Sequence, residues 1–360
     1  MKNKIDYYHN ALKTELNLTQ VYVKSFSETT DKLANKAIKH IVANKGKMLR
    51  PMFLILAGRY TYQISADDKK NEEVFLNGIS KAAAILELLQ ISSLIHDDVL
   101  DHSMSRRNKP TLNSFKGNRF AILIGDYLVA QSLKNCYQLV HDVEKIFDSE
   151  IMFAYLDGIS KLVLGEVQQN NFNENTHKSG NEIERYFEII ENKTASLFSL
   201  ACFVGSKIGN KSTEFSELFQ QFGFHVGMAY QMIDDLRDFA FTKDVAGESN
   251  FQDIKFGIKT LPLIYAEKFA QNGEHEKLQN CFNSRKNLTV KEKLEILDIL
   301  EKTGSIDKCL SEIKLHIEKA KTVLSQLQVN EYSILLTDFV GFLSSSCDTV
   351  VDDIRGIKTI

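Results

Sequence analysis

The acidic residues of this sequence include one pattern, D-D-x-x-D, that occurs twice. Its members are Asp97, Asp98 and Asp101 in the first copy and Asp234, Asp235 and Asp238 in the second. Each copy follows an apolar stretch and is predicted to end a helix, where its first and fifth residues share a face one turn apart. Gathered carboxylates need a cation, and Mg²⁺ is held by a few carboxylates together with substrate phosphates. One copy alone would indicate a solvated helix end, whereas two copies facing each other across a cavity would form a metal cage for a diphosphate ester.

Basic residues follow the first acidic copy within a few positions, in the segment R-R-N-K-P-T that starts at Arg106. Arginine matches phosphate oxygens bidentately, so Arg106 and Arg107 predict an anion site beside the metal site. Without the acidic residues upstream, the same segment would indicate only a solvated loop. Acids for a metal and arginines for phosphate together favour metal-bridged diphosphate chemistry.

A second basic segment is G-K-M-L-R-P at 46–51, which contains Gly46, Lys47 and Arg50. The two cations are three residues apart, so a helix would present both on one face. An ordinary basic helix start would have the same appearance. Taken alone, this segment is therefore a weak signal for an anion site.

Three polar residues interrupt apolar helical stretches later in the chain. Lys193 and Thr194 stand at the edge of one such stretch, where a lysine can also simply extend its charge to water. Gln231 precedes the second acidic copy by three residues and is expected on a similar face. A buried glutamine often only satisfies a backbone group, so this residue also has a purely structural alternative.

The elements that must position these side chains are helices. Apolar residues occupy nearly every side of segment 74–101, as expected for a helix buried at the centre of a bundle. Helical periodicity also marks roughly 28–44, 48–62, 115–146, 148–172, 182–206, 214–240, 258–272, 290–302, 305–328 and 331–350. No alternating strand pattern is convincing. We predict one all-α domain over residues 1–360, with exposed loops at 62–73 and 173–181 and a fraying tail over the last ten residues.

Composition excludes several classes of function. The chain has 360 residues, 43% of them hydrophobic, and a net charge of −3, so we expect no nucleic-acid partner. Only 3 prolines favour long uninterrupted helices, and five scattered cysteines without a C-x-x-C favour buried thiols in a reducing compartment. The sequence shows no signal-peptide core and no run of about 18 apolar residues. We therefore expect a cytoplasmic protein that does not span a membrane.

Taken in order, the motifs resemble those of the trans-isoprenyl diphosphate synthases, also called polyprenyl synthetases. The series runs G-K-M-L-R-P, S-L-I-H-D-D-V-L-D, R-R-N-K-P-T, G-D-Y-L-V-A, K-T-A-S-L-F, G-M-A-Y-Q-M-I-D-D-L-R-D and K-T-L-P-L, over roughly 40–265. The resemblance implies an antiparallel all-α bundle of the isoprenoid synthase type around a deep central cavity, and a homodimer. It also implies three Mg²⁺ ions and head-to-tail condensation of an allylic prenyl diphosphate with isopentenyl diphosphate.

The resemblance also assigns a role to each matching residue. The expected direct Mg²⁺ ligands are Asp97, Asp101 and Asp234, with Asp98, Asp235 and Asp238 as further ligands or acting through water. The residues expected to hold the allylic substrate are Arg106, Lys193, Thr194 and Gln231. The residues expected to hold isopentenyl diphosphate are Gly46, Lys47, Arg50, Gln90 and Arg107. The six aspartates and Lys193 form the expected catalytic set.

The sequence departs from the family pattern at a few positions. Gln90 stands where many bacterial members have a histidine, and Asn108 replaces the usual glycine after the arginine pair. Glu248 and Ile258 stand where lysines are common, which puts part of the basic lid over the diphosphate in doubt. Lys259 is adjacent to Ile258, and we expect it to supply the missing diphosphate contact.

Two other functions remain open from the sequence. A class I terpene cyclase would ionise a prenyl diphosphate without adding isopentenyl diphosphate, but its second metal motif is normally of a different type. A non-catalytic regulatory subunit of a heterodimeric synthase would usually lose one acidic motif, and both survive here. A Mg²⁺-dependent assay with isopentenyl diphosphate and an allylic primer would separate the three functions.

Product length is predicted from the positions just before the first acidic copy. Short-chain members of the family usually block the growing chain with an aromatic residue four or five positions before the first aspartate. Ser93 and Ser92 occupy those positions in this chain. We therefore expect a product longer than C15, with close helix packing as the alternative reason for the serines.

Overall fold

The computed structural model describes residues 2–43, 46–64, 72–107, 109–142, 146–174, 181–210, 212–240 and 250–356. Almost all of these residues are helical, which confirms the all-α prediction. The helices are α1 (Lys2–Ala11), α2 (Lys13–Ser27), α3 (Lys32–Val42), α4 (Leu49–Ile64), α5 (Glu72–Leu100), α6 (Leu112–Lys116), α7 (Asn118–Val140), α8 (Ser149–Glu174), α9 (Glu182–Ile190), α10 (Ser196–Gly209), α11 (Thr213–Arg237), α12 (Gln252–Phe256), α13 (Leu261–Phe269), α14 (Asn272–Ser284), α15 (Val290–Lys302), α16 (Ser305–Leu324) and α17 (Glu331–Gly356). A π-helical turn (Glu191–Ala195) joins α9 to α10, and two short strands, β1 (Ser105–Arg106) and β2 (Lys109–Pro110), pair antiparallel.

The chain divides into two compact units. The first unit comprises Met1–Ser160, Leu197–Gly223 and Leu327–Leu336, and the second comprises Lys161–Ser196, Phe224–Gln326 and Thr337–Ile360. Each unit is therefore built from segments that are distant in sequence. The single-domain organisation and the deep central cavity expected from the family stay predictions.

Helix α5 is central to the packing of the first unit. It contacts α2, α4, α6 and α7. Its residues Ala84, Leu88 and Ile95 join Ile124 and Leu128 of α7 in one buried apolar cluster. Burying a leucine or isoleucine side chain contributes roughly 1.5–3 kcal/mol, so such a cluster fixes the helix firmly. The acidic residues at the C-terminal end of α5 are held in place with it.

The second unit contains a corresponding buried helix, α13. This helix contacts α9, α14, α15 and α16. Leu261, Ile264 and Ala266 are at most 1% exposed, and Pro262 lies in the first turn, where its missing N–H leaves no gap in the helical hydrogen bonds. The segment that leads into α13 contains Lys259, so the packing of α13 also determines the environment of that lysine.

The predicted helices agree with the structure except at identifiable points. The predicted helix 115–146 is two helices, because the chain breaks at Gly117, whose φ of +81° suits a residue without a Cβ. Helix α14 was not predicted, because its sequence is polar and lacks an apolar stripe; a capping box between Gln271 and Glu274 starts it instead. Helices α1 and α2 were not predicted either.

Several sequence predictions concern residues outside the described ranges. Asn108, Glu248 and most of the two predicted loops are among them, as is the end of the predicted tail. At the edges of the first loop, Tyr62 still belongs to α4 and Glu72 already begins α5. Residues 351–356 are helical, so the described part of the tail continues α17.

Two of the described helices, α5 and α17, are long and apolar enough to cross a membrane by length and composition alone. The most apolar window of α5 is 67% buried within the protein, and that of α17 is 44% buried. A core helix of a soluble protein passes the same test, so two such helices are weak support for a membrane span. Every 18-residue window of α5 contains Glu87 and every such window of α17 contains three serines, so neither helix is an uninterrupted apolar run, and the absence of a span stays a prediction.

Candidate active site

The first acidic motif lies where α5 ends. Helix α5 ends at Leu100, and the Asp101 N–H donates to the Asp97 carbonyl at 2.8 Å, so the last turn continues to Asp101. Asp97 and Asp101 are therefore one turn apart, and both are partly exposed. This geometry agrees with the predicted pair of carboxylates on one face.

Asp98, between them, points into the protein. It is 7% exposed and accepts a hydrogen bond from Arg106 Nε at 2.8 Å. Burial raises the pKa of Asp98, and the positive charge of Arg106 opposes that rise. The Asn113 side chain donates to the Asp98 carbonyl at 3.0 Å. Asp98 thus holds Arg106 and the following turn, whereas its predicted role as a metal ligand stays a prediction.

The two basic segments meet in the first unit. A Cβ at Gly46 would lie 3.2 Å from both terminal guanidinium nitrogens of Arg107, so the absence of a side chain there allows the arginine to approach. Arg50 lies on α4, with its guanidinium carbon 4.8 Å from the centre of the Phe198 ring. Lys47 precedes the helix, which begins at Leu49, so the predicted shared helix face of Lys47 and Arg50 is wrong.

Glu87 is a carboxylate at this site that the motif analysis missed. It lies on α5 three residues before Gln90, and it interacts electrostatically with Arg50 and Arg107. Burial raises its pKa to about 7, although both arginines lower it. Glu87 lies ten residues before Asp97, about 80° away around the axis of α5 at 3.6 residues per turn, so the helical spacing of the acidic motif did not single it out.

The second acidic motif lies where α11 ends, at Arg237. The Asp234 side chain is 52% exposed and pairs with Arg237 Nη1 at 2.8 Å. Asp235 is buried, and its two oxygens accept hydrogen bonds from Tyr186 Oη at 2.5 Å and Gln231 Nε2 at 2.7 Å. Burial raises the pKa of Asp235 to about 7, against the effect of both donors. Of these two aspartates, only Asp234 faces solvent.

Asp238 follows the end of α11 and caps another helix. Its Oδ1 and Oδ2 accept the backbone N–H groups of Gln252 and Asp253, each at 3.0 Å. These are the first two residues of α12, whose N–H groups have no partner within the helix. Burial raises the pKa of Asp238 to about 6, and the two N–H donors oppose the rise. Asp238 thus positions α12, and its predicted role as a further metal ligand stays a prediction.

The π-helical turn presents the predicted substrate residues Lys193 and Thr194. Lys193 Nζ donates to Glu166 Oε2 at 2.9 Å and to Gln169 Oε1 at 2.8 Å, while Thr194 Oγ1 donates to Gln231 Oε1 at 2.7 Å. Turns of this type are rare and concentrate at functional sites.

A glycine on α8 accommodates this turn. A Cβ at Gly165 would lie 2.7 Å from the Lys193 backbone nitrogen, so a larger residue would collide with the turn. Glu166, Gln169 and Tyr186 contact predicted site residues, yet the sequence analysis did not single them out.

Lys259 has an environment different from the predicted one. Its side chain is 2% exposed, and its ammonium lies 3.0 Å from Glu182 Oε1 and also contacts Glu267. The pKa of Glu267 is raised by burial, although Lys259 lowers it. An ammonium held between two carboxylates in the protein interior is not placed to bind a substrate diphosphate. The structure therefore does not support the prediction that Lys259 makes the diphosphate contact of the lysine that is missing at position 258.

The donor set fits a metal that is shared with a substrate. Within the described ranges, no group of three or more His, Cys, Asp and Glu side chains could hold an ion alone. Mg²⁺ in proteins usually keeps one or two carboxylates and takes substrate phosphates as further ligands. Asp97 with Asp101, and separately Asp234, match that requirement.

Comparisons with known proteins identify the family. A family model described as polyprenyl synthetase matches residues 31–300. The chain is 28% identical over 328 residues to heptaprenyl diphosphate synthase component 2 of Bacillus subtilis, covering 91% of this chain and 86% of that protein. It is 29% identical over 294 residues to the all-trans-nonaprenyl-diphosphate synthase (geranyl-diphosphate specific) of Rhodobacter capsulatus, covering 82% and 83%.

The fold matches solved structures as well. The polyprenyl synthase of Caulobacter crescentus, in complex with calcium and isoprenyl diphosphate, superposes with a TM-score of 0.80 at 24% identity, over 95% of this chain and 97% of that one. Its likeness establishes the fold, and the family match covers most of the chain. This chain belongs to the polyprenyl synthetase family.

Proposed function

We propose that this chain condenses an allylic prenyl diphosphate with isopentenyl diphosphate head to tail. The product is a trans polyprenyl diphosphate longer than C15, and diphosphate is released. The observation that carries the proposal is the repeated acidic motif, which in both copies leaves the first aspartate accessible at a helix end. The relatives named as heptaprenyl and nonaprenyl synthases support a long product.

The proposed metal is Mg²⁺, bound by Asp97 and Asp101 at the end of α5 and by Asp234 at the end of α11, with three ions as in the family. When bound, it neutralises the charge that develops on the departing diphosphate. Asp98, Asp235 and Asp238 support these positions through the hydrogen bonds that they accept. The partly exposed carboxylates and the family match support this assignment.

The protein residues have the remaining roles. Arg106, Lys193, Thr194 and Gln231 hold the allylic substrate, whose C–O bond breaks as its diphosphate leaves. Gly46, Lys47, Arg50, Gln90 and Arg107 hold isopentenyl diphosphate, whose double bond attacks the allylic carbon and forms the new C–C bond. A proton is then lost, and the released diphosphate accepts it. Cationic side chains positioned in advance stabilise the charge that develops on the leaving group.

The proposed assembly is a homodimer in the cytoplasm. A second candidate is a heteromer, because one relative is named as component 2 of a heptaprenyl diphosphate synthase. Light scattering of the purified chain, combined with its activity without any partner, distinguishes the two. A monomer that turns over only after a second chain is added would support the heteromer.

The reaction is tested by incubating the purified chain with Mg²⁺, isopentenyl diphosphate and one allylic primer, followed by chromatography of the product. Condensation should require Mg²⁺ and should yield chains longer than C15. Consumption of the allylic diphosphate without isopentenyl diphosphate would instead indicate a cyclase. Asp97→Ala should reduce turnover by orders of magnitude with folding intact, whereas the exposed Asp307→Ala should not.

A further inference from the structure

A continuous chain of hydrogen bonds runs through the second unit and ends at a predicted substrate residue. Tyr186 Oη donates to Asp235 Oδ2 at 2.5 Å, and Gln231 Nε2 donates to Asp235 Oδ1 at 2.7 Å. Thr194 Oγ1 then donates to Gln231 Oε1 at 2.7 Å. The four side chains come from α9, α11 and the π-helical turn, so the chain ties these three elements together.

The carboxylate of Asp235 fixes the direction of every donor in this chain. Gln231 turns its NH₂ group toward Asp235 Oδ1 and its carbonyl oxygen toward Thr194 Oγ1, each at 2.7 Å. Because the Gln231 carbonyl faces Thr194, the threonine hydroxyl must donate to it. The Thr194 hydroxyl hydrogen is then committed to Gln231, so the Thr194 oxygen is an acceptor and does not donate to the substrate diphosphate.

Tyr186 is the far end of this chain, and its position is tightly determined. Tyr186, Asp235 and Thr194 are 3%, 6% and 4% exposed, so water has little access to their polar atoms. A buried carboxylate oxygen without a donor is costly, and Asp235 has one donor for each oxygen. Loss of the Tyr186 hydroxyl would therefore release Asp235 from its present orientation and disturb Gln231 and Thr194 in turn.

We propose that Tyr186 is a positioning residue, which acts through Asp235 and Gln231 to fix the orientation of the Thr194 hydroxyl at the substrate. The proposal rests on the proposed function, because Thr194 is assigned there to the allylic substrate. It also assigns Asp235 to the positioning of side chains rather than to direct metal binding. Nothing in the sequence motifs singles out Tyr186, which stands 49 positions before Asp235.

The test compares Tyr186→Phe with wild type in steady-state kinetics. We expect kcat to fall roughly tenfold to hundredfold, which corresponds to about 1.5–3 kcal/mol of lost transition-state stabilisation, the size of one hydrogen bond to a charged group. The KM for isopentenyl diphosphate should stay within about twofold of wild type, because none of the four hydrogen-bonded side chains is assigned to that substrate. Circular dichroism at the assay temperature checks that each variant has the same folded fraction as wild type.

The matched control is Tyr155→Phe. Tyr155 is also fully buried, and its hydroxyl donates to the Ala82 carbonyl at 2.8 Å, so the variant loses a comparable buried hydrogen bond elsewhere. Its kcat should stay within about twofold of wild type. A similar fall in kcat for both variants would show that loss of stability explains the effect, and would overturn the proposal.

A double-mutant cycle with Thr194→Val provides the decisive readout. If Tyr186 acts through Thr194, the double variant should lose no more than about twofold beyond the larger single effect. If the fall in kcat of the double variant equalled the product of the two single falls, the residues would act independently and the proposal would be overturned. A wild-type kcat in Tyr186→Phe would also overturn it. If Tyr186→Phe does not fold, Asp235→Asn replaces it in the same cycle, because asparagine has nearly the same shape but presents an NH₂ donor in place of one oxygen, so it cannot accept from Tyr186 and Gln231 at two separate oxygens.

The same data separate this proposal from the proposed function. Wild-type condensation of the two diphosphates is measured first, and its absence would overturn both. Wild-type condensation together with an unaffected Tyr186→Phe variant would overturn only the positioning role. Both proposals are supported if the wild type condenses the two diphosphates, Tyr186→Phe has a lowered kcat, and the double variant loses little more than the larger single effect.

Discussion

The Lys259 ammonium lies 3.0 Å from Glu182 Oε1 and 3.2 Å from Glu182 Oε2, almost fully shielded from water. It also contacts Glu267, whose side chain is 8% exposed. Lys259 therefore neutralises two carboxylates that come from α9 and α13. This relationship makes Lys259 a residue of stability rather than of substrate binding.

Replacing Lys259 by methionine should lower the free energy of unfolding by about 3–5 kcal/mol, because the change leaves the Glu267 carboxylate, whose side chain is 8% exposed, without its cation. Urea unfolding measures this loss. The control is Lys291→Met, since the Lys291 side chain is 87% exposed and surface changes usually alter stability by less than about 0.5 kcal/mol. Unchanged stability of Lys259→Met, with a raised KM for the allylic substrate, would restore the original prediction of a substrate contact.

Asp234 and Asp235 should differ in their effect on metal dependence, although they are neighbours in sequence. Asp234→Asn removes a half-exposed carboxylate and should raise the Mg²⁺ concentration for half-maximal rate about tenfold or more. Asp235→Asn should lower kcat but change that concentration by less than about threefold, because Asp235 is only 6% exposed and its oxygens hold Tyr186 and Gln231 in place. Mg²⁺ titrations of both variants measure the difference. Equal shifts would mean that Asp235 is a direct ligand.

The sequence located the acidic motifs correctly, because helix ends and one-turn spacing are local properties. Both motifs do lie where a helix ends, at Leu100 and Arg237. The interpretation was incomplete where the environment of a side chain depends on distant partners. Asp238 caps α12, a five-residue helix that has no sequence periodicity to detect.

The π-helical turn illustrates the same limit. It depends on Gly165, whose missing side chain leaves room for the Lys193 backbone. Gly165 lies in a different helix, so the sequence around Lys193 gives no sign of the turn. Likewise, the ion pair that holds the Lys259 ammonium is made with Glu182, 77 positions away. Such contacts between distant segments cannot be inferred from periodicity in one sequence without further information.

Glu87 should make stability depend on pH. Its pKa is raised from 4.5 to about 7 by burial, against the effects of Arg50 and Arg107. Between these pH values the folded protein keeps a proton that the unfolded chain has released. The native state binds more protons there, so the contribution of Glu87 makes stability fall as the pH rises. Glu87→Gln cannot ionise and should lack this contribution.

Urea unfolding at pH 5 and pH 8 tests this expectation. The free energy of unfolding of wild type minus that of Glu87→Gln should be lower at pH 8 than at pH 5. Taking the difference between the two proteins removes the contributions of all other titratable groups, because both proteins contain them. Glu217→Gln, an exposed change on α11, is the control and should show no such difference. A wild type that gains relative stability at pH 8 would contradict the assigned direction.

Ser92 and Ser93, the two positions expected to determine product length, differ in the structure. The Ser92 side chain is 1% exposed and donates to the Gly125 carbonyl of α7 at 2.9 Å. Phenylalanine at this position would be forced into the contact between α5 and α7. Such overpacking costs typically about 1–3 kcal/mol, so Ser92→Phe should lower stability more than it changes product length. For Ser92, the alternative explanation given from the sequence, close helix packing, describes its environment.

Ser93 is the position at which an aromatic residue should shorten the product. It is partly exposed, and it lies four residues before Asp97 on the same face of α5, about 6 Å along the helix. Its hydroxyl donates to the Gln90 carbonyl at 3.1 Å, so replacing it removes a hydrogen bond within α5 rather than one that joins two helices. Ser93→Phe should shift the product toward C15, whereas Ser93→Ala should keep the wild-type length. Chromatography of the products measures both. A Ser93→Phe enzyme that still makes the wild-type product would show that the growing chain does not pass this face of α5, and a wild type that stops at C15 would refute the predicted long product itself.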